Sequence, residues 1–218
     1  VKLASEDRQL QRFMQLLLRD VQALEQMLDG GMFESGITRI GAEQEMCLID
    51  KHFRPAPASM EVLDKANNPM HPLELARFNY EVNLEPLEFT GTCLSDLEDN
   101  ILNKLEGVRS VANQLGVDIL LAGIAPTIRK IDVDMDNITP VDRYRALMKA
   151  INKLRGGVYE LRLRGIDELI FKTDSPLLEA ANTGFQVHLQ TAPQEFVQLY
   201  NIAQAIAAPT LAVATNSP

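Results

Sequence analysis

The chain has 218 residues, 46% hydrophobic and 23% charged, enough for one substantial core. Its net charge of −9, with no basic block, argues against a nucleic-acid groove or a membrane-surface patch and favours divalent cations, which in turn hold phosphates. No apolar run approaches the roughly 20 residues of a transmembrane helix, and no signal peptide is expected. Cys47 and Cys93 have neither metal-ligand nor C-x-x-C spacing, so a reducing, cytoplasmic protein with free thiols is expected.

Both ends read as cut. The chain opens on Val1, and its last stretch, LAVATNSP, passes from an apolar segment into a loop. From the N-terminus, Ser5–Leu28 is predicted as a helix capped by Ser5. Leu10, Phe13, Leu17, Val21, Leu24 and Leu28 recur on one face, and Gly30-Gly31 stop it. It reads as a packing or dimerising helix without chemistry.

Arg39–Asp50, RIGAEQEMCLID, alternates at a period of two. Ile40, Ala42, Met46 and Leu48 share one face; Gly41, Glu43, Glu45 and Cys47 share the other. Glu43 and Glu45 have Cα atoms roughly 7 Å apart. Like charges that close, in a half-buried setting, need a divalent cation or basic partners. A Pro-rich loop follows, then a short helix near 60–66 and a turn at Asn67-Asn68-Pro69.

Asn79–Thr90 is the second acidic strand. Tyr80, Val82 and Leu84 alternate with Glu81, Asn83 and Glu85 until Pro86 breaks the ladder, and a one-residue shift there returns Glu88 to the acidic face. Ser95 to Glu98 has the capping-box pattern of a helix running to about Leu115, and Val117–Leu121 is a short strand. Asp132–Asn137 lacks the glycine and terminal glutamate of a calcium loop and reads as solvated. Thr139-Pro140 is expected to cap a helix containing Asp142-Arg143-Tyr144-Arg145. Val158–Arg164 and Asn182–Thr191 are predicted strands, the latter with Gln186, His188 and Gln190 on one face, and Gln194–Ala207 is a last helix. Strands with one polar face, not strictly alternating with helices, define an α+β fold: a mostly antiparallel sheet, helices on one side, the polar face open to a ligand.

Three strands thus offer polar side chains at i, i+2 spacing: Glu43/Glu45, Glu81/Glu85/Glu88 and Gln186/His188. Gathered on one sheet face, such an oxygen-rich set favours Mg2+ or Mn2+, and one imidazole is compatible with either. Clustered Mg2+ beside carboxylates is the equipment of phosphoryl transfer. With neither a Walker A sequence nor GxGxxG, nucleotide would be held by metals and arginines. Glu81 and Glu85 have a second reading, as solvated groups or partners of Arg162 and Arg164. His52 and His71 sit in loop-like stretches and receive no role.

The ordered motifs GAEQEMCLID, PLEFTGTC, GIAP, DRYRAL, QVHL and TNSP resemble glutamate–cysteine ligase family 2, the carboxylate–amine ligases of the glutamine-synthetase-like superfamily. The resemblance covers residues 37–218, after an N-terminal helix in 1–36. It implies an antiparallel, cupped sheet; ATP and Mg2+ (or Mn2+); and joining of a glutamate-like carboxylate to an amine through an acyl phosphate. By motif the resemblance assigns metal binding to Glu43, Glu45, Glu88 and His188, and Glu85 from the acidic strand joins them in the expected metal-binding set. Arg143 is expected to approach a substrate carboxylate or phosphate, and Gln186 to contact the nucleotide. Two family histidines are replaced, by Ala125 and Gln186, which favours an alternative: a non-catalytic ligand- or partner-binding domain on the same fold. The family's C-terminal strands are also missing, so these 218 residues alone are expected to lack ligase activity. Small amino acid and amine substrates, no nucleic acid, no membrane and a homo-oligomer complete the expectation.

Overall fold

The computed structural model describes residues 2–216. The chain separates into two compact units, Val1–Thr38 with Gln190–Ala208, and Arg39–Leu189 with Pro209–Pro218.

In the first unit, helix α1 (Lys2–Asp29) carries the predicted apolar face and ends at Gly30-Gly31, where Gly31 adopts a φ of 62° that a side chain disfavours. Its start differs from the prediction. The helix begins at Lys2, so Ser5 lies inside it rather than ahead of it.

The second unit is built on β1 (Arg39–Ile49), which is paired along both edges. On one edge lie β2 (Asn79–Asn83) and the short β3 (Leu87–Glu88), on the other β4 (Asp118–Leu120) and β7 (Phe185–Leu189), all antiparallel. The register changes by one residue between β2, where Glu43 faces Asn83, and β3, where Ile40 faces Leu87. That extra residue is a bulge at Leu84–Pro86, because proline has no N–H for the ladder. Leu84 and Leu87, three apart, consequently join one apolar cluster, and Glu88 stands opposite Arg39 on the acidic face.

Helices α2 (Ser59–Ala66) and α3 (Cys93–Asn113) cover the apolar face. Met46, Leu48, Tyr80 and Val82 from the sheet pack there with Val62, Leu105, Val108 and Ala112. Each large side chain fully buried here contributes about 1.5–3 kcal/mol. The capping box at Ser95 is not the start of α3: the helix opens two residues earlier, and the Thr92 hydroxyl donates to Asp96 at 2.9 Å. Beyond Glu45 the acidic face turns apolar. Cys47 and Ile49 pack with Phe78, Ala125, Leu177 and Met148, the last from α4 (Asp142–Arg155).

Thr139 does not cap α4. It is fully buried, donating its hydroxyl to the Glu74 carbonyl at 2.6 Å and its N–H to the Leu75 carbonyl at 2.9 Å. The expected strand at 158–164 is β5 (Tyr159–Arg164), and its partner β6 (Glu168–Thr173) was not foreseen. Within this hairpin Arg162 pairs with Glu160, so it does not neutralise Glu81 or Glu85. The acidic stretch at 132–137 forms two 3-10 turns with Asp134 and Asp136 exposed. A four-residue helix, α5 (Leu177–Ala180), precedes β7.

The last helix, α6 (Phe196–Val213), outruns the predicted end at Ala207 and passes through Pro209. It corrects the reading of membrane-length segments. By length and composition it is apolar enough to cross a membrane, with a mean hydropathy of 1.3 over 18 residues and none of them buried. Gln198, Asn201, Gln204 and Thr210 interrupt the apolar run without adding charge, which is why a search for an unbroken run passed over it.

Candidate functional site: a carboxylate cluster on the β1 face

Strand alternation sends Glu43 and Glu45 to the side of β1 away from α2 and α3. Directly opposite Glu45 on β2 is Glu81, and opposite Glu43 are Asn83 on β2 and Gln186 on β7. A third carboxylate, Glu74, comes from the irregular segment leading into β2. One carboxylate oxygen from each of Glu45, Glu74 and Glu81 lies within 4.8 Å of the others. Glu81 is buried; Glu45 and Glu74 are partly buried.

The electrostatics follow from that crowding. Burial, a hydrogen bond to Glu74, and the charges of Glu74, Glu43 and Glu45 raise the Glu81 pKa to about 8. Glu45 is also raised, by burial first and then by Glu74 and Glu43, against the lowering effect of the Gly184 N–H, which donates to its Oε2 at 2.7 Å. At neutral pH the cluster therefore retains a proton where a cation would satisfy the same oxygens. Three hard oxygen donors with no sulfur suit Mg2+ or Mn2+.

The segment carrying Glu74 is clamped on both sides. Arg143 and Tyr144, at the start of α4, both donate to the Leu73 carbonyl, at 2.7 and 2.5 Å, and the Arg143 guanidinium lies 4.6 Å from the centre of the Tyr144 ring. Thr139 holds the carbonyls of Glu74 and Leu75. Arg143 is thus engaged with backbone one residue from a cluster carboxylate.

The other expected residues occupy distinct places. His188, opposite Gly41, brings Nε2 to 3.5 Å from Glu43 Oε1. Glu88 is exposed on the same face at the far end of β1, and Glu85 is exposed in the bulge. Neither belongs to the three-carboxylate group. Gln186 is exposed on β7, and Ala125 is buried in the apolar cluster around Cys47. Sequence reasoning missed Glu74, which lies on no periodic element. Its signal was a lone carboxylate among Leu73, Leu75 and Ala76, just before an acidic strand.

Several motifs meet beside Glu45. The Gly123 N–H donates to the Asn216 carbonyl at 2.6 Å, and the Gly123 carbonyl accepts from the Thr183 N–H at 2.8 Å. Gly184 adjoins Thr183 and binds Glu45. A cleft of about 360 Å³ runs here, lined by Gln44, Leu121, Gly123, Gly184, Phe185 and Asn216 among others. Ser217 and Pro218, which complete the TNSP motif, lie outside the described residues.

An antiparallel sheet with one face closed by helices and the other bearing clustered glutamates is the arrangement the ligase resemblance calls for. Residues 39–218 match the family description glutamate–cysteine ligase family 2, and the chain belongs to that family. The fold is accordingly that of the carboxylate–amine ligases. No curated protein and no solved structure matches the chain.

Proposed function

We propose that the chain carries the divalent-cation face of an ATP-dependent carboxylate–amine ligase, activating a glutamate-like carboxylate as an acyl phosphate for attack by an amine. The observation that carries this reading is the approach of Glu45, Glu74 and Glu81 to within 4.8 Å. These three would hold Mg2+ or Mn2+, with Glu43 and His188 beside them. When bound, the cation supplies charge neutralisation for nucleotide phosphates.

The chain's own groups do the positioning. Gly184 fixes Glu45, and the Arg143–Tyr144 clamp fixes the backbone next to Glu74. The free Cys47 and Cys93 thiols support a reducing, cytoplasmic setting.

Calorimetric titration of ATP into this chain tests the proposal. Binding is expected in Mg2+ and not in chelator, because no glycine-rich phosphate loop is present. Equal affinity in both overturns it. Ala125 and Gln186, in place of two family histidines, favour the rival reading of a binding domain without turnover. ADP release that depends on both a glutamate-like acid and an amine separates the two.

A further inference from the structure

Helix α1 lies outside the family match, which begins at residue 39, and its residues from Arg8 to Asp29 are all exposed. Its apolar residues carry a specific spacing. Leu10, Met14, Leu17, Val21, Leu24 and Leu28 follow one another by 4, 3, 4, 3 and 4 positions, a repeat of 3.5. Between residues 10 and 28, taking Leu10 as d places Leu10, Leu17 and Leu24 at every d and Met14, Val21 and Leu28 at every a; the a position before them is Asp7. All six side chains are between 42% and 56% exposed.

A 3.6-residue helix packing on a globular body needs only a drifting stripe; a strict 3.5 repeat keeps a seam turned toward another helix. Leucine at d with valine at one a position suits two strands. The repeat thus specifies the partner's shape, a helix with the same spacing of knobs and holes, and α1 itself meets that description. We infer that α1 pairs with α1 of a second copy of this chain.

The areas are of the right size. Phe13, Leu18 and Met27 flank the seam, giving nine exposed large apolar residues on this side of the helix. At roughly 60–100 Å² of apolar surface each, they offer on the order of 500–900 Å² per copy. Two copies then reach the range of about 1,200–2,000 Å² found in stable interfaces. The opposite side carries Arg12, Gln15, Arg19, Gln22 and Gln26, which stay in water when the seam closes.

Sedimentation equilibrium tests the pairing. The 24.3 kDa chain is expected at twice its mass at micromolar concentration. The double substitution Leu17→Glu with Leu24→Glu is expected to return it to one mass, and Leu94→Glu, on α3, to leave the dimer intact. Because the charged variants could unravel α1, single cysteines give an independent reading. Under mild oxidation Leu17→Cys, in mid-seam, is expected to form a reducible dimer, and Arg19→Cys, on the polar side, is not. A native chain of single mass overturns the inference. So does a dimer indifferent to the double substitution, or equal crosslinking from positions 17 and 19.

Discussion

Glu45 and Gly184 are joined twice. The Glu45 N–H donates to the Gly184 carbonyl at 2.9 Å, and the Gly184 N–H donates to the Glu45 carboxylate at 2.7 Å. The second bond favours the ionised carboxylate while burial and neighbouring glutamates disfavour it, and the raised Glu45 pKa shows which side prevails. A cation bound there would tip that balance back toward the ionised form.

Mn2+ or Mg2+ should therefore raise the melting temperature. At one hundred times the dissociation constant the stabilisation is about 2.7 kcal/mol, or roughly 5–10 °C for a chain of this size. Glu81→Gln is expected to remove most of that rise while melting no lower than the native chain in chelator at pH 8, since it also removes a repelling charge. Differential scanning fluorimetry with and without EDTA reads both effects. A variant that keeps the full metal response would place the cation elsewhere.

The pH dependence in chelator has a defined sign. Glu81 titrates near 4.5 when unfolded and near 8 when folded, so between those values the folded chain holds a proton that the unfolded chain has lost. Its contribution makes stability fall as pH rises from about 4.5 to about 8 and level off above. Glu45 acts in the same direction. Denaturant midpoints at pH 5, 6.5 and 8 should decline in native chain and decline less in Glu81→Gln. Parallel declines would show that other groups set the slope.

Tyr144→Phe tests the clamp. Removing the hydroxyl takes one donor from the Leu73 carbonyl, a loss of about 1 kcal/mol for a single hydrogen bond. Because Glu74 is the next residue, Mn2+ affinity should weaken several-fold as well. Calorimetry showing lower stability with unchanged Mn2+ affinity would separate the clamp from the site.

The thiols should be inert in the folded chain. Both are buried, and burial raises the Cys47 pKa to about 12, leaving almost no thiolate at pH 8. Ellman's reagent is expected to react with both only in denaturant. Prompt release of a full equivalent from the native chain would contradict the packing around Cys47.

How much of this could be read from the sequence depended on periodicity. The phase of Glu43 and Glu45 followed from alternation, and the return of Glu88 to their face followed from the missing N–H of Pro86. Glu74 could not be read this way. It sits where the chain has no repeat, and its place is set by Thr139 and Tyr144, 65 and 70 residues later. Thr139 illustrates the same limit: a Thr-Pro pair ahead of a helix has the form of a cap, but burial turned its hydroxyl to a distant carbonyl. The β6 strand was hidden for another reason. Only its pairing with β5 distinguishes the mixed run ELIFKT from a loop.

The pairing of β1 along both edges also dictates an order of assembly. Its first neighbour, β2, arrives about thirty residues after it, so the Glu45–Glu81 register can form early in synthesis. Its last neighbour, β7, arrives far later, and the bond from Gly184 to Glu45 closes a loop of 139 residues. Closure over such a span is slow, because chain entropy is lost before the contacts that offset it are made. A nascent chain released from the ribosome before residue 184 would hold two repelling carboxylates in register and an open edge on β1. Such an edge pairs readily with any available strand, so truncation inside the hairpin of β5 and β6 is expected to give aggregates rather than a smaller folded domain.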